Sequence, residues 1–165
     1  VWTGAIKSNS TNTFITPILQ NNSQIVNAIY AYRSHNLTVT PYLQYTYIPA
    51  NPALGILTDA GTTGAAIITN YRFKNEARGV YTLPLRFEYI SSNGKSNQNS
   101  PNLLYGPGSA AWSFTITPTY QFERYFIRGE LSYVQAINTS AGYAFGPTGN
   151  VNNQARVMFE TGILY

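Results

Sequence analysis

The chain has 165 residues, enough for one domain, and pairs 44% hydrophobic and 15% aromatic content with only 10% charged residues. That balance excludes a disordered segment, which needs high charge and few aromatics. A net charge of +4, spread over scattered basic residues, argues against a nucleic-acid surface, and the lack of cysteine excludes disulfides and thiolate metal sites.

The fourteen tyrosines, with many Thr, Asn and Ser, suit a pleated, half-buried surface. No apolar run approaches the roughly 18 residues that a membrane helix needs. A closed barrel, however, crosses a bilayer with alternating strands whose mean hydropathy stays near zero. The observed −0.17 therefore does not discriminate. No 3.6-residue stripe lasts beyond two turns, so no helix is expected.

In chain order, a partial strand near Trp2 to Lys7 precedes a long polar loop at 8–22. A strand near Gln24 to Arg33 follows, with Val26, Ala28, Tyr30 and Tyr32 on its apolar face. After a short turn at 34–36, Leu37, Val39, Pro41, Leu43, Tyr45 and Tyr47 alternate with Thr38, Thr40, Tyr42, Gln44 and Thr46. A long loop at 49–62 leads to Ala65, Ile67, Thr69, Tyr71 and Phe73, which alternate with Ala66, Ile68, Asn70, Arg72 and Lys74. Beyond the turn at 75–77, Tyr81, Leu83, Leu85, Phe87 and Tyr89 alternate with Thr82, Pro84, Arg86 and Glu88.

The loop at 91–110 opens the clearest hairpin. Trp112, Phe114, Ile116, Pro118, Tyr120 and Phe122 share one face of its first arm. Past Glu123-Arg124, Tyr125, Ile127, Gly129, Leu131 and Tyr133 lie on the same face of the second, with Arg128, Glu130 and Ser132 opposite. A last loop at 136–151 precedes a strand of Ala155, Val157, Phe159, Thr161, Ile163 and Tyr165 against Arg156, Met158, Glu160 and Gly162. A period of two sustained this way marks strands.

Seven strands and a partial eighth, joined by strictly alternating short and long connections, describe an antiparallel up-and-down transmembrane β-barrel over residues 1–165. Aromatic residues form two bands on the apolar face. Tyr71, Phe73, Tyr81, Tyr120, Phe122 and Tyr125 flank the short turns, while Tyr89, Trp112 and Tyr133 stand near the long loops, with Tyr165 at the chain end. Two membrane–water interfaces select that spacing. Pro41, Pro84 and Pro118 fall inside the strands, so the reading requires bulges or shifted strand centres there.

The stretch Thr115 to Val134, TITPTYQFERYFIRGELSYV, combines a TPTYQ strand, a two-residue charged turn and an R-x-E-x-S-Y strand. With TLPLRFEY and ARVMFETGILY, it resembles the OmpL-like β-barrel porin family over Gln24 to Tyr165. The resemblance implies a bacterial, Gram-negative outer-membrane location and transport by a porin. Family members are usually longer, which implies either a compact eight-stranded relative or the C-terminal part of a larger barrel. Phe159, Thr161, Ile163 and Tyr165 look like the strand signal of outer-membrane assembly, which would make Tyr165 the true C-terminus.

Imitations of active-site motifs lack their context. Gly94-Lys95-Ser96 echoes a phosphate loop without the first glycine or a following helix, and Gly106 to Ala111 echoes a dinucleotide fingerprint yet leads into a strand. The single histidine, His35, falls in a short turn away from any lipid-facing catalytic rim. No cofactor, metal site or enzyme activity is expected. The strings beginning at Asn9, Asn21, Asn36 and Asn138 match glycosylation acceptors by chance in so Asn-rich a chain.

What recurs is charge on one face: Arg72, Arg86, Glu88, Arg128, Glu130, Arg156 and Glu160. An arginine facing lipid costs about 2–4 kcal/mol at mid-membrane, so these residues are expected to point inward, as pore lining or as an interior charge network. The expected function is passive diffusion of small solutes or ions. The alternatives are a non-conducting small barrel with adhesive or structural loops, and a soluble β-sandwich binding domain. Expected partners are outer-membrane lipid, lipopolysaccharide, the assembly machinery at the last strand and further copies in a homo-oligomer.

Overall fold

The structure, a computed structural model, describes residues 1–5, 19, 22–75 and 79–164. Its ten strands are β1 (Trp2–Ala5), β2 (Gln24–Ile29), β3 (Tyr32–Ser34), β4 (Leu37–Ile48), β5 (Ala60–Asn75), β6 (Gly79–Ser92), β7 (Ala110–Ile116), β8 (Thr119–Phe122), β9 (Tyr125–Ile137) and β10 (Asn153–Ile163). All belong to one antiparallel sheet ordered β1-β2-β4-β5-β6-β7-β9-β10, with β3 and β8 continuing the lines of β2 and β7. Each strand line thus lies beside its sequence neighbour, the up-and-down order that hairpin connections produce. A sandwich would need a second sheet to cover one face, and the described strands form one sheet only.

The in-strand prolines explain why two lines are broken. Pro41 lies in β4 opposite Tyr30 and Ala31, where the β2 line lapses before β3 resumes. Pro84 lies in β6 opposite Thr117 and Pro118, the gap between β7 and β8. A proline has no N–H to give, so the ladder opens beside it. Its carbonyl still accepts: Tyr30 N–H donates to Pro41 O (3.1 Å), Thr117 N–H to Pro84 O (3.0 Å) and Gly129 N–H to Pro118 O (3.0 Å). The sheet therefore absorbs all three prolines by local gaps, with no slip in register.

Short turns close one end: His35-Asn36 joins β3 to β4, and Glu123-Arg124 joins β8 to β9 with Glu123 at φ 51°. The 75–77 turn lies partly, and the 8–22 loop almost wholly, outside the described residues, as does Tyr165. The other long connections, 49–59, 93–109 and 138–152, gather at the opposite end. There β5 starts at Ala60, five residues before the alternation suggests. Sixteen residues at about 3.3 Å each reach some 50 Å, well past a bilayer core of about 30 Å.

Burial is concentrated at that extended end. The buried apolar residues are Ile48, Ile56, Ala60, Ala110, Ala111 and Ala136, beside or within the long connections. Elsewhere large apolar side chains stand outside: Phe87 is 48% exposed, Leu131 50%, Phe159 69% and Val157 78%. Burying such a side chain is worth about 1.5–3 kcal/mol, and this sheet forgoes that over one whole face. Contiguous exposure on this scale marks a surface meant for something other than water. β1 and β10 are the two edges, and the described residues do not pair them with each other.

Candidate functional site

The face opposite the apolar one is the only place where strand charges collect among the described residues. Register brings them together across strands. Arg86, Thr115, Ser132 and Arg156 form one row through β6, β7, β9 and β10, and Thr119, Arg128 and Glu160 another nearer the short turns. Arg86 Nε lies 3.1 Å from Glu88 Oε2, two residues along the same face. Arg128 Nη1 lies 3.4 Å from Glu160 Oε2, its direct cross-strand partner. Arg156 Nη2 donates to Glu130 Oε1 at 2.6 Å on a diagonal, since Ser132 is the residue directly opposite Arg156.

Ser113 Oγ adds a hydrogen bond to Glu88 Oε2 (2.8 Å), and the Arg128 guanidinium sits 5.6 Å from the Phe126 ring centroid. Six of the seven charges are thus held in three pairs. Arg72, opposite Thr82 near the short-turn end, belongs to none of these pairs. The paired side chains remain 25–60% exposed, so each pair contributes only about 0.2–1 kcal/mol after solvent screening. Glu160→Gln is accordingly expected to lower stability by less than about 1 kcal/mol, measured by urea titration of the detergent-folded chain. A loss of several kcal/mol would mean that Arg128 becomes a buried, unpaired charge.

Over β1, β2 and β4 this face is polar without charge, with Arg33 of β3 standing beside Thr38 at its short-turn end. Asn27 Nδ2 donates to Thr3 Oγ1 (3.2 Å), and the Tyr42 hydroxyl bonds both Asn27 Oδ1 (2.8 Å) and Gln44. Gln44 Nε2 donates on to Thr46 Oγ1 (3.4 Å). This ladder crosses β1, β2 and β4. Sequence reading singled out the charges and missed it, although Thr40, Tyr42, Gln44 and Thr46 sit at alternate positions and carry the signal.

On the apolar face the aromatic residues line up by register. Phe73, Tyr81 and Tyr120 are cross-strand neighbours over β5, β6 and β8, with Tyr81 and Tyr120 rings 4.5 Å apart. Tyr71 meets Phe73 edge-on at 4.6 Å, while Phe122 and Tyr125 face each other beside the short turn. Toward the long loops, Tyr89 pairs with Trp112, and Trp112 lies 5.4 Å from Tyr133. The eight steps from Tyr81 to Tyr89 span about 26 Å of strand, or some 20 Å after a tilt near 40°.

The long connection 93–109 does not simply project outward. Asn102, Leu103 and Leu104 wall one cavity together with Gln44, Thr46, Ile48, Thr62 and Ile90. Tyr105 closes a second, of about 280 Å³, with Tyr42, Gln44, Glu88 and Ser113. Gly94-Lys95-Ser96 belongs to this loop, and Gly106 to Ala111 runs from it into β7. Ser109, fully buried, accepts from Tyr105 N–H (3.0 Å) and donates to Gly106 O (2.6 Å). Asn102 Oδ1 accepts from Gly106 N–H (2.8 Å), and Gly61 N–H donates to Asn93 Oδ1 (2.7 Å). Burial pushes the Tyr105 phenol above the ordinary tyrosine range.

His35 lies exposed in its turn at the end remote from these loops, and the described residues hold no group of three His, Asp or Glu spaced for a metal ion. A family model described as "Putative beta-barrel porin-2, OmpL-like" matches residues 1–165. Searches of curated proteins and of solved structures returned no match.

Proposed function

The chain belongs to the OmpL-like β-barrel porin-2 family, and from that premise we propose that it lets small hydrophilic solutes or ions diffuse passively across the bacterial outer membrane. One observation carries the reading: every strand charge described lies on the polar face, while the other face exposes its Leu, Ile, Val and aromatic residues. In lipid the apolar face is solvated by acyl chains and the polar face lines water. The aromatic rows then sit at the two interfaces, against lipid and lipopolysaccharide headgroups.

An unpaired strand edge is too costly in hydrocarbon to persist, so β1 and β10 must find partners. They do so through each other, through further strands of the wall, or through neighbouring copies. We also propose that β10, whose Val157, Phe159 and Ile163 alternate along an open sheet edge, is the strand offered to the assembly machinery. Passage involves no catalytic step. The seven charges act as fixed charges along the lining, and Arg72, like Arg33 outside the three ion pairs, weights the passage toward anions.

Eight sheet positions among the described residues favour a second reading. A barrel closed at eight strands is only wide enough inside for side chains, and the ion pairs would then plug it. Recording the detergent-folded protein in a planar bilayer separates the two. Stable unitary steps, with a reversal potential that Arg72→Glu moves toward cations, support the porin. A silent bilayer containing heat-modifiable, folded protein supports the plugged barrel and removes the diffusion reading.

A further inference from the structure

We propose that the connection Asn93–Ser109 is the constriction of the passage, and that Leu103, Leu104 and Tyr105 set its exclusion limit. The inference rests on the porin reading and deepens it. Long loops at the outer end of a barrel ordinarily extend into water, yet this one carries an apolar triplet at its centre. Leu103 and Leu104 line one cavity with Thr46, Thr62 and Ile90, and Tyr105 lines another with Tyr42 and Gln44, all of these wall residues on the polar face. Leu103, Leu104 and Tyr105 are each half-buried, and the apolar area so removed from water gives the loop an energetic reason to fold inward.

The position is also held at three places. The loop's base is bonded to β5 and β6 through Asn93 and Gly61 (2.7 Å) and through Ser92 N–H and Ser109 O (2.8 Å). Its middle is joined to the 49–59 loop by Thr58 Oγ1 and Ser100 Oγ (3.0 Å). Its far end is joined to the 138–152 loop by Ser140 N–H and Tyr105 O (2.9 Å), with the Tyr105 and Phe145 rings 5.1 Å apart. Anchors on three sides make a fixed ledge. The solutes selected are small and hydrophilic, admitted by cross-section between a neutral phenol and the Tyr42–Gln44 ladder.

The cysteine-free chain makes the test clean. Gln44→Cys places a thiol under the loop. Two probes are added on the long-loop side of vesicles: a small methanethiosulfonate and a bulky polyethylene-glycol maleimide. With the native loop, the small probe reacts and the bulky one does not. Replacing Leu103 and Leu104 by Ser and Tyr105 by Gly should admit the bulky probe and raise unitary conductance. The milder Tyr105→Ala should shift both in the same direction, with heat-modifiable migration unchanged. Equal labelling rates with either loop overturn the constriction, even if the channel conducts. Loop-dependent labelling in a silent bilayer overturns diffusion and leaves the loop as the closure of the interior.

Discussion

Leu131→Arg is expected to destabilise the membrane-inserted sheet by about 2–4 kcal/mol, the cost of a mid-membrane arginine on the lipid face of a barrel. Leu131 occupies the middle of β9, half exposed, between Ile116 of β7 and Val157 of β10. A guanidinium there has only apolar cross-strand neighbours, and in lipid it has no water within reach. Met158→Arg is the matched control. Met158 is equally exposed but lies on the polar face, directly opposite Glu130. That change should shift stability by no more than about 1 kcal/mol, as an exposed ion pair does. Urea titrations in lipid vesicles measure both. Equal effects would mean that neither face meets lipid, and a reversed order would mean that the faces are assigned the wrong way round.

Gly106→Ala is expected to release the 93–109 loop while leaving the sheet intact. Gly106 has φ +114°, a conformation that costs a side-chain-bearing residue about 1–3 kcal/mol. Its added Cβ would also overlap Ser140 Oγ and come within 2.6 Å of Ser140 Cβ and 2.8 Å of its backbone N. That nitrogen is the one bonded to Tyr105 O, so the clash falls on the bridge between two loops. Gly142→Ala provides the comparison: its φ is +81°, yet nothing lies within 4 Å of its Cβ. Limited proteolysis should cut the 93–109 segment much faster in the first variant and little faster in the second. Equal rates would show that the packing of Gly106 against Ser140 does not hold the loop.

The charges and aromatic rows were legible because a strand's alternation needs no partner to exist. Arg128, Glu130 and Ser132 share a side for the same reason that Ile127, Gly129 and Leu131 share the other. The pairings among those charges were not legible. Arg156 joins Glu130 on a diagonal, whereas Arg128 joins its direct neighbour Glu160, and only register distinguishes the two cases. The apolar triplet Leu103 to Tyr105 was visible too, but in a segment of Asn, Ser, Gly and Pro it passes for ordinary loop composition. Its placement beside β4, β5 and β6 exists only once those strands present a wall.

By itself, then, the amino-acid order determined the strand segments, their two faces, the alternation of short and long connections, and a family resemblance that the whole-chain match bears out. These are local properties, set by a backbone period of two and by turn chemistry. The tertiary structure decided how Pro41, Pro84 and Pro118 are tolerated, which charges meet, and that β1 and β10 are left as edges. It also decided that a long loop turns in over the polar face. Each of these depends on residues far apart in the chain being brought to one place at once: Thr58 with Ser100, Tyr105 with Ser140, Arg156 with Glu130. No local pattern encodes such a coincidence, because its energy exists only after the sheet has aligned the positions.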